Sequence, residues 1–474
     1  MIFSSTYFLF LFLPIVLFVY YIPLKKFRKA QNVFLLISSL LFYAFGEPKF
    51  VFIMIFSILI NYIFGILIDK FRKDKLKSKL ILSLMIFSNL LILFIFKYLM
   101  FSLEIINSVF NTNINIPSIA LPIGISFFTF QAISYVIDVY REKGAVQKNP
   151  LNVGLYISFF PQLIAGPIVR YETVAHEIEN RKETLDDFTS GITRFMIGLS
   201  KKVLLSNTLA ILADYSFNVF SNPNDIYNTP SVLMAWTGAI AYTLQIYFDF
   251  SGYSDMAIGL GKMFGFHFNE NFNYPYISRS VSEFWRRWHI SLGTWFKDYV
   301  YFPLGGSKVS STKRLFFNIF IVWFLTGLWH GANWTFICWG LLYFILIGIE
   351  KILKLGKNTN PFGIIYTLTF VILGWVLFRA PNLSSAIYQI KAMFGFGVNT
   401  LYDETTLFYI KDNIVFILFG IICSTPIIPF VKSKLKNTNY ILEILSAIII
   451  VLLFIISISY LIKGTYNPFI YFNF

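Results

Sequence analysis

The chain has 474 residues, of which 57% are hydrophobic and only 13% charged, and its mean hydropathy is +0.67. A soluble domain carries roughly 25% charged residues, so too little polar surface is available here for a globule of this size; a soluble enzyme, a disordered scaffold and a secreted disulfide framework are excluded. The net charge of +15 would suggest nucleic acid in a soluble chain, but in a polytopic membrane protein its meaning lies in its distribution about the spans, and no nucleic-acid partner is expected.

Crossing the hydrocarbon core takes ~20 mostly apolar residues as helix. Unbroken apolar runs predict helices over 5–24, 31–46, 50–69, 80–103, 118–138, 230–250, 363–379, 413–430 and 440–462. Less regular candidates are 151–169, 186–212, 315–329 and 332–350. Lys25, Lys26, Arg28 and Lys29 follow the first run and no basic residue precedes it, which predicts an uncleaved first helix with an external N-terminus. The cluster from Lys70 to Lys79 then falls inside, 104–117 outside, Arg141, Lys143 and Lys148 inside, and 213–229 outside.

That alternation leaves one crossing too many between 148 and 213. The simplest solution is that 151–169, interrupted by Pro161, Gly166 and Pro167, enters from the cytoplasm and returns. Broken helices at membrane depth are tolerated where they are buried in protein or line a cavity, so this segment is a candidate wall of a site. Lys432, Lys434 and Lys436 then lie inside and the C-terminus outside. The organisation expected is one membrane domain over 1–474, with N-terminal helices in 1–140, a core in 141–350 and C-terminal helices in 351–474. Cys338 and Cys423 sit in apolar runs and are expected to be buried free thiols.

Residues 249–314 differ from the rest, being dense in Trp, Tyr and charge between two hydrophobic blocks. Too apolar for a solvated loop and too charged for a span, the segment is expected at or within the cytoplasmic face. Its basic residues, among them Arg286, Arg287 and Lys297, either attract anionic lipid headgroups and set topology or together hold a phosphorylated donor such as coenzyme A.

Of four histidines, His330 lies in the apolar FLTGLWHGANWTF, where an ionisable side chain is a functional hypothesis by default. The alternative is a neutral imidazole hydrogen-bonded between helices. Gly331 allows close backbone approach, and Trp329 and Trp334 could wall a dry pocket. His289, in WRRWHISLGTW, is either a site residue or an interfacial side chain. His176 and His267 lie in polar surroundings and are assigned no role. There is no metal-ligand spacing, nucleophile elbow or P-loop; no metal is expected, and His330 is best suited to act as general base on a hydroxyl.

In order along the chain, MIFSSTYFLFLFLPI, PQLIAGPIVRY, DFSGYSDMAIGLGKMFGF, FWRRWHISLGTWFKDYVYFPLGG and LTGLWHGANWTF resemble the membrane-bound O-acyltransferase (MBOAT) family. Within it they resemble the bacterial alginate O-acetylation branch, with matching blocks to about residue 350. The resemblance implies an all-α polytopic fold, a ring of about 11–13 helices with re-entrant segments around a central tunnel. It implies that His330 matches the catalytic histidine and His289 the partner position of the WHISL block.

It further implies that His330 takes the proton of an acceptor hydroxyl as its oxygen attacks a thioester, while His289 orients the donor or stabilises charge at the carbonyl oxygen. Tyr253, Asp255 and Asn333 are either supporting groups around the histidines or packing and capping residues. No cofactor is expected to be bound; acetyl-CoA is the implied co-substrate. The acceptor would be an extracytoplasmic polysaccharide such as alginate, peptidoglycan or cellulose, reached through an SGNH-type acetyltransferase partner at the bacterial cell membrane. Two other functions remain open: D-alanyl transfer to teichoic acid from a carrier-protein thioester, and a polytopic transporter or flippase.

Overall fold

The structure is a computed structural model that describes all residues except 223–229, 356–359, 436–439, 465 and 471–474. Part of the expected external loop, Lys436 and the C-terminal end therefore lie outside the described residues. Backbone buried in lipid must satisfy its own hydrogen bonds, and the chain does so with helices. Among the described residues there is no strand, only one isolated parallel bridge between Ser231 and Thr400.

The N-terminal helices are α1 (Phe8–Tyr21), α2 (Arg28–Gly46), α3 (Val51–Lys70), α4 (Lys75–Phe110) and α5 (Ile125–Tyr140). Then come the short α6 (Pro150–Ser158) and α7 (Tyr171–Asn180), followed by the long α8 (Leu185–Ser221) and α9 (Val232–Met263). The next two are again short, α10 (Val281–Arg287) and α11 (Ile290–Phe296), the latter prolonged by a π-turn over Lys297–Tyr301. The chain closes with α12 (Thr312–His330), α13 (Trp334–Ile352), α14 (Phe362–Arg379), α15 (Leu383–Met393), α16 (Glu404–Cys423), α17 (Ile427–Leu435) and α18 (Tyr440–Lys463). Among the described residues eight helices are long and apolar enough to cross a membrane: α2, α3, α4, α8, α13, α14, α16 and Glu443–Lys463 of α18. The chain is a multi-pass membrane protein.

Several elements differ from those expected. Residues 249–263 are not separate from the preceding helix but continue α9 for four more turns. Their polar groups are tolerated because partners are built in: Asp249 pairs with Lys202 at 2.5 Å and Asp255 with Arg194 at 2.9 Å. Helix α16 begins at Glu404, where Asp403 caps it by accepting from Thr406 N at 2.7 Å, and it ends before Pro426, so 413–430 is not one span. Helices α7 and α15 lie in stretches where no helix is expected from hydropathy.

Contacts divide the chain into two compact units, Met1–Phe195 with Tyr253–Asn269, and Met196–Gly252 with Glu270–Phe474. The first contains the expected break at 151–169. Helix α6 has nine residues, about 14 Å at 1.5 Å per residue and too short to span. Residues 159–169 run on without helix and are buried throughout. Side chains satisfy their backbone: Phe160 N donates to Ser39 Oγ at 3.0 Å, and Tyr156 Oη donates to Val169 O at 2.9 Å. Nearby, Arg28 is paired with Glu183, and buried Arg181 donates to Asn32 Oδ1 at 2.7 Å and Tyr20 Oη at 2.9 Å.

The second unit has an aromatic core that includes Trp288, Trp323, Trp339, Tyr343 and Trp375. Gly305 and Gly306, at φ +104° and +60°, form a tight turn. Cys338 and Cys423 are free thiols, partly rather than fully buried.

Candidate active site

His330 is the last residue of α12, and the three residues Gly331 to Asn333 return the chain into α13. The hairpin can be this close because Gly327 and Gly340 face it: a Cβ at either would stand 2.5 Å from the carbonyl oxygen of Phe336 or Trp323. A Cβ at Gly331 would strike the Phe336 ring, so close approach explains that glycine. Asn333 caps α13, accepting from Thr335 N at 3.0 Å through Oδ1 and donating to Pro381 O at 3.0 Å through Nδ2. Both ends of its amide are thus used in holding the turn.

The His330 imidazole is buried among three rings, with centroids 5.0 Å from Trp329, 5.0 Å from Trp339 and 4.9 Å from Phe378, all nearly perpendicular. Trp334 is 50% exposed. Trp339, five positions further along α13 and turned by about 140° from it, faces the site.

His289 lies between α10 and α11 in the left-handed region, at φ +45° and ψ +53°, a conformation that a non-glycine residue keeps only where its surroundings enforce it. It is 2% exposed. Its ring meets Phe250 at 4.7 Å, Phe272 at 6.5 Å and Trp329 at 6.1 Å. The ring is thus buried among aromatic side chains. Trp329 touches both imidazoles, so the two histidines share one aromatic wall.

Two residues not singled out from sequence complete the geometry. Buried Asn271 accepts from Ile290 N at 2.9 Å through its backbone oxygen and from Ser291 N at 3.1 Å through Oδ1. Buried Glu350, near the end of α13, accepts from Val281 N at 2.5 Å and Ser282 N at 2.9 Å. A carboxylate on the first amides of a helix is favoured by both hydrogen bonding and the helix dipole. It ties α10, which leads to His289, to the helix that starts beside His330. Neither residue carries a local signal, because each acts on backbone distant in sequence.

The basic candidates separate. Arg287 is held by Glu283 at 2.8 Å and donates to Asn273 O at 3.2 Å, whereas Arg286 and Lys297 are exposed. Tyr253 stacks on Phe3 at 4.6 Å and Asp255 holds Arg194, both within the first unit.

A family model described as MBOAT, membrane-bound O-acyltransferase family, matches residues 145–390, which include both histidines. The chain is 40% identical to a probable alginate O-acetylase of Pseudomonas putida, over 100% of each chain. It is 32% identical to a peptidoglycan O-acetyltransferase of Helicobacter pylori, over 100% of this chain and 98% of the relative. A teichoic acid D-alanyltransferase of Bacillus subtilis is 30% identical over 54% of this chain and 68% of its own length. The chain belongs to the membrane-bound O-acyltransferase family and is an O-acyltransferase.

Proposed function

We propose that this O-acyltransferase is an O-acetyltransferase that takes acetyl from cytoplasmic acetyl-CoA for O-acetylation of an extracytoplasmic polysaccharide. The buried, aromatic-walled imidazole of His330 carries this reading: a water-poor site with a base that can take one proton suits acyl transfer to a hydroxyl. The full-length likeness to proteins named for alginate and peptidoglycan acetylation favours acetyl over D-alanyl transfer, since the D-alanyltransferase matches about half the chain.

In the proposed step the acceptor oxygen bonds to the thioester carbonyl carbon, and its proton passes to His330. Collapse breaks the C–S bond, and the proton leaves with the thiolate as free coenzyme A. Exposed Arg286 and Lys297 are the candidates for the donor's phosphates. An external SGNH-type partner would complete transfer to polymer.

The test is thiol release by the purified protein with acetyl-CoA and, separately, with a D-alanyl carrier-protein thioester. Release with acetyl-CoA alone supports the reading; release only with the carrier thioester contradicts it.

A further inference from the structure

A backbone N–H can only donate, so an amide atom that receives one must be the oxygen. Ser291 N reaches the Asn271 side chain at 3.1 Å, which fixes Oδ1 toward the turn that holds His289. The same oxygen accepts the Ser291 hydroxyl at 2.9 Å and stands 3.2 Å from His289 Nδ1. A bare Nδ1 there would set two lone pairs against each other. The Ser291 hydroxyl is no substitute donor, being 3.5 Å from Nδ1 and closer to Oδ1. Nδ1 therefore carries a proton, and in a neutral imidazole that leaves Nε2 as a lone pair.

We infer that Asn271 is a positioning residue that locks His289 in the Nδ1–H tautomer, so that Nε2 meets bound substrate as a hydrogen-bond acceptor. Of the two roles expected for His289, a neutral Nε2 fits orientation of a substrate O–H or N–H and not support of a developing oxyanion, which needs a donor. The group bound is the acceptor hydroxyl or an amide N–H on the pantetheine arm of the donor. The turn that carries His289 has its own support. Asn271 O takes Ile290 N–H at 2.9 Å, and Asn273 N donates to Arg287 O at 2.9 Å; these backbone bonds hold the left-handed turn at His289 independently of the Asn271 amide.

The inference rests on the acyl-transfer reading for its consequence, but the tautomer is measurable without any substrate. Solid-state NMR of ring-15N-histidine protein in lipid bilayers, assigned by comparison with His289→Gln, should show Nδ1 protonated and Nε2 bare. Asn271→Ala keeps the backbone bonds and should bring up an Nε2–H signal, with kcat falling roughly tenfold or more. Asn271→Asp keeps the oxygen and should keep the Nδ1 proton. A proton on Nε2 in the wild type, or an Asn271→Ala variant with reduced kcat and an unchanged tautomer, would overturn the proposal. A thioether analogue of acetyl-CoA that moves the Nε2 resonance assigns the amide. Movement only with a sugar acceptor assigns the hydroxyl, and movement with neither contradicts the contact.

Discussion

The indole of Trp329 stands 6.1 Å from the imidazole of His289, centroid to centroid, and 5.0 Å from that of His330, its neighbour in the chain. One buried ring thus sets the spacing of both histidines. Trp329→Phe should keep most activity, whereas Trp329→Ala should leave a cavity costing about 3–5 kcal/mol and lose activity at both positions. A cycle of His289→Ala and His330→Ala checks the shared role: the double variant should be no slower than His330→Ala alone.

Gly340 holds the α12–α13 hairpin closed, with a Cβ there meeting Trp323 O at 2.5 Å. Gly340→Val should force the helices apart at some 1–3 kcal/mol and displace His330. Thermal unfolding and acetyl-CoA turnover of the same preparation check this; full activity in the valine variant contradicts it.

Lys202 and Asp249 form a buried ion pair at 2.5 Å, each side chain 2% exposed, and the chain near its end is fastened to it. Ile470 N donates to Asp249 Oδ2 at 2.9 Å, and Lys202 Nζ donates to Pro468 O. Asp249→Asn strands a buried ammonium and should cost about 3–5 kcal/mol, while Lys202→Met with Asp249→Leu should recover much of it. Limited proteolysis around residues 466–470 should be faster in Asp249→Asn and slower again in the double variant.

His267, half exposed and outside the spans, offers a pH dependence. Burial opposes its charging, but hydrogen bonds to Glu177 at 2.7 Å and Asp187 at 3.2 Å outweigh burial and raise its pKa. A raised folded pKa means that stability is fully present below the ordinary imidazole value of ~6.5 and is lost as pH rises through the folded value. Wild type should therefore melt lower as pH rises through that window, and His267→Gln should flatten the change; an unchanged slope contradicts the clasp.

Much of this was legible because intramembrane chemistry is conspicuous. His330 in an apolar stretch, the Pro161 and Pro167 break and the Gly331 turn could each be placed from residue type alone. What escaped notice depends on partners distant in sequence. Residues 249–263 read as the start of a separate segment dense in Trp, Tyr and charge, yet Lys202 and Arg194 pair with its two carboxylates and the stretch stays helical. Asn271 and Glu350 act on backbone amides around His289 that no spacing rule connects to them. Trp339 stands against His330 through the packing of α13 on α12, which no local pattern announces.

The central claim is that His330 is the base in acetyl transfer, and the most direct measurement is label transfer from acetyl-labelled CoA by wild type and His330→Ala in one lipid preparation. The account predicts free thiol and transferred label from the wild type, a loss of roughly 10²-fold or more in the variant, and similar unfolding temperatures for both. Undiminished transfer by a folded His330→Ala protein would contradict it.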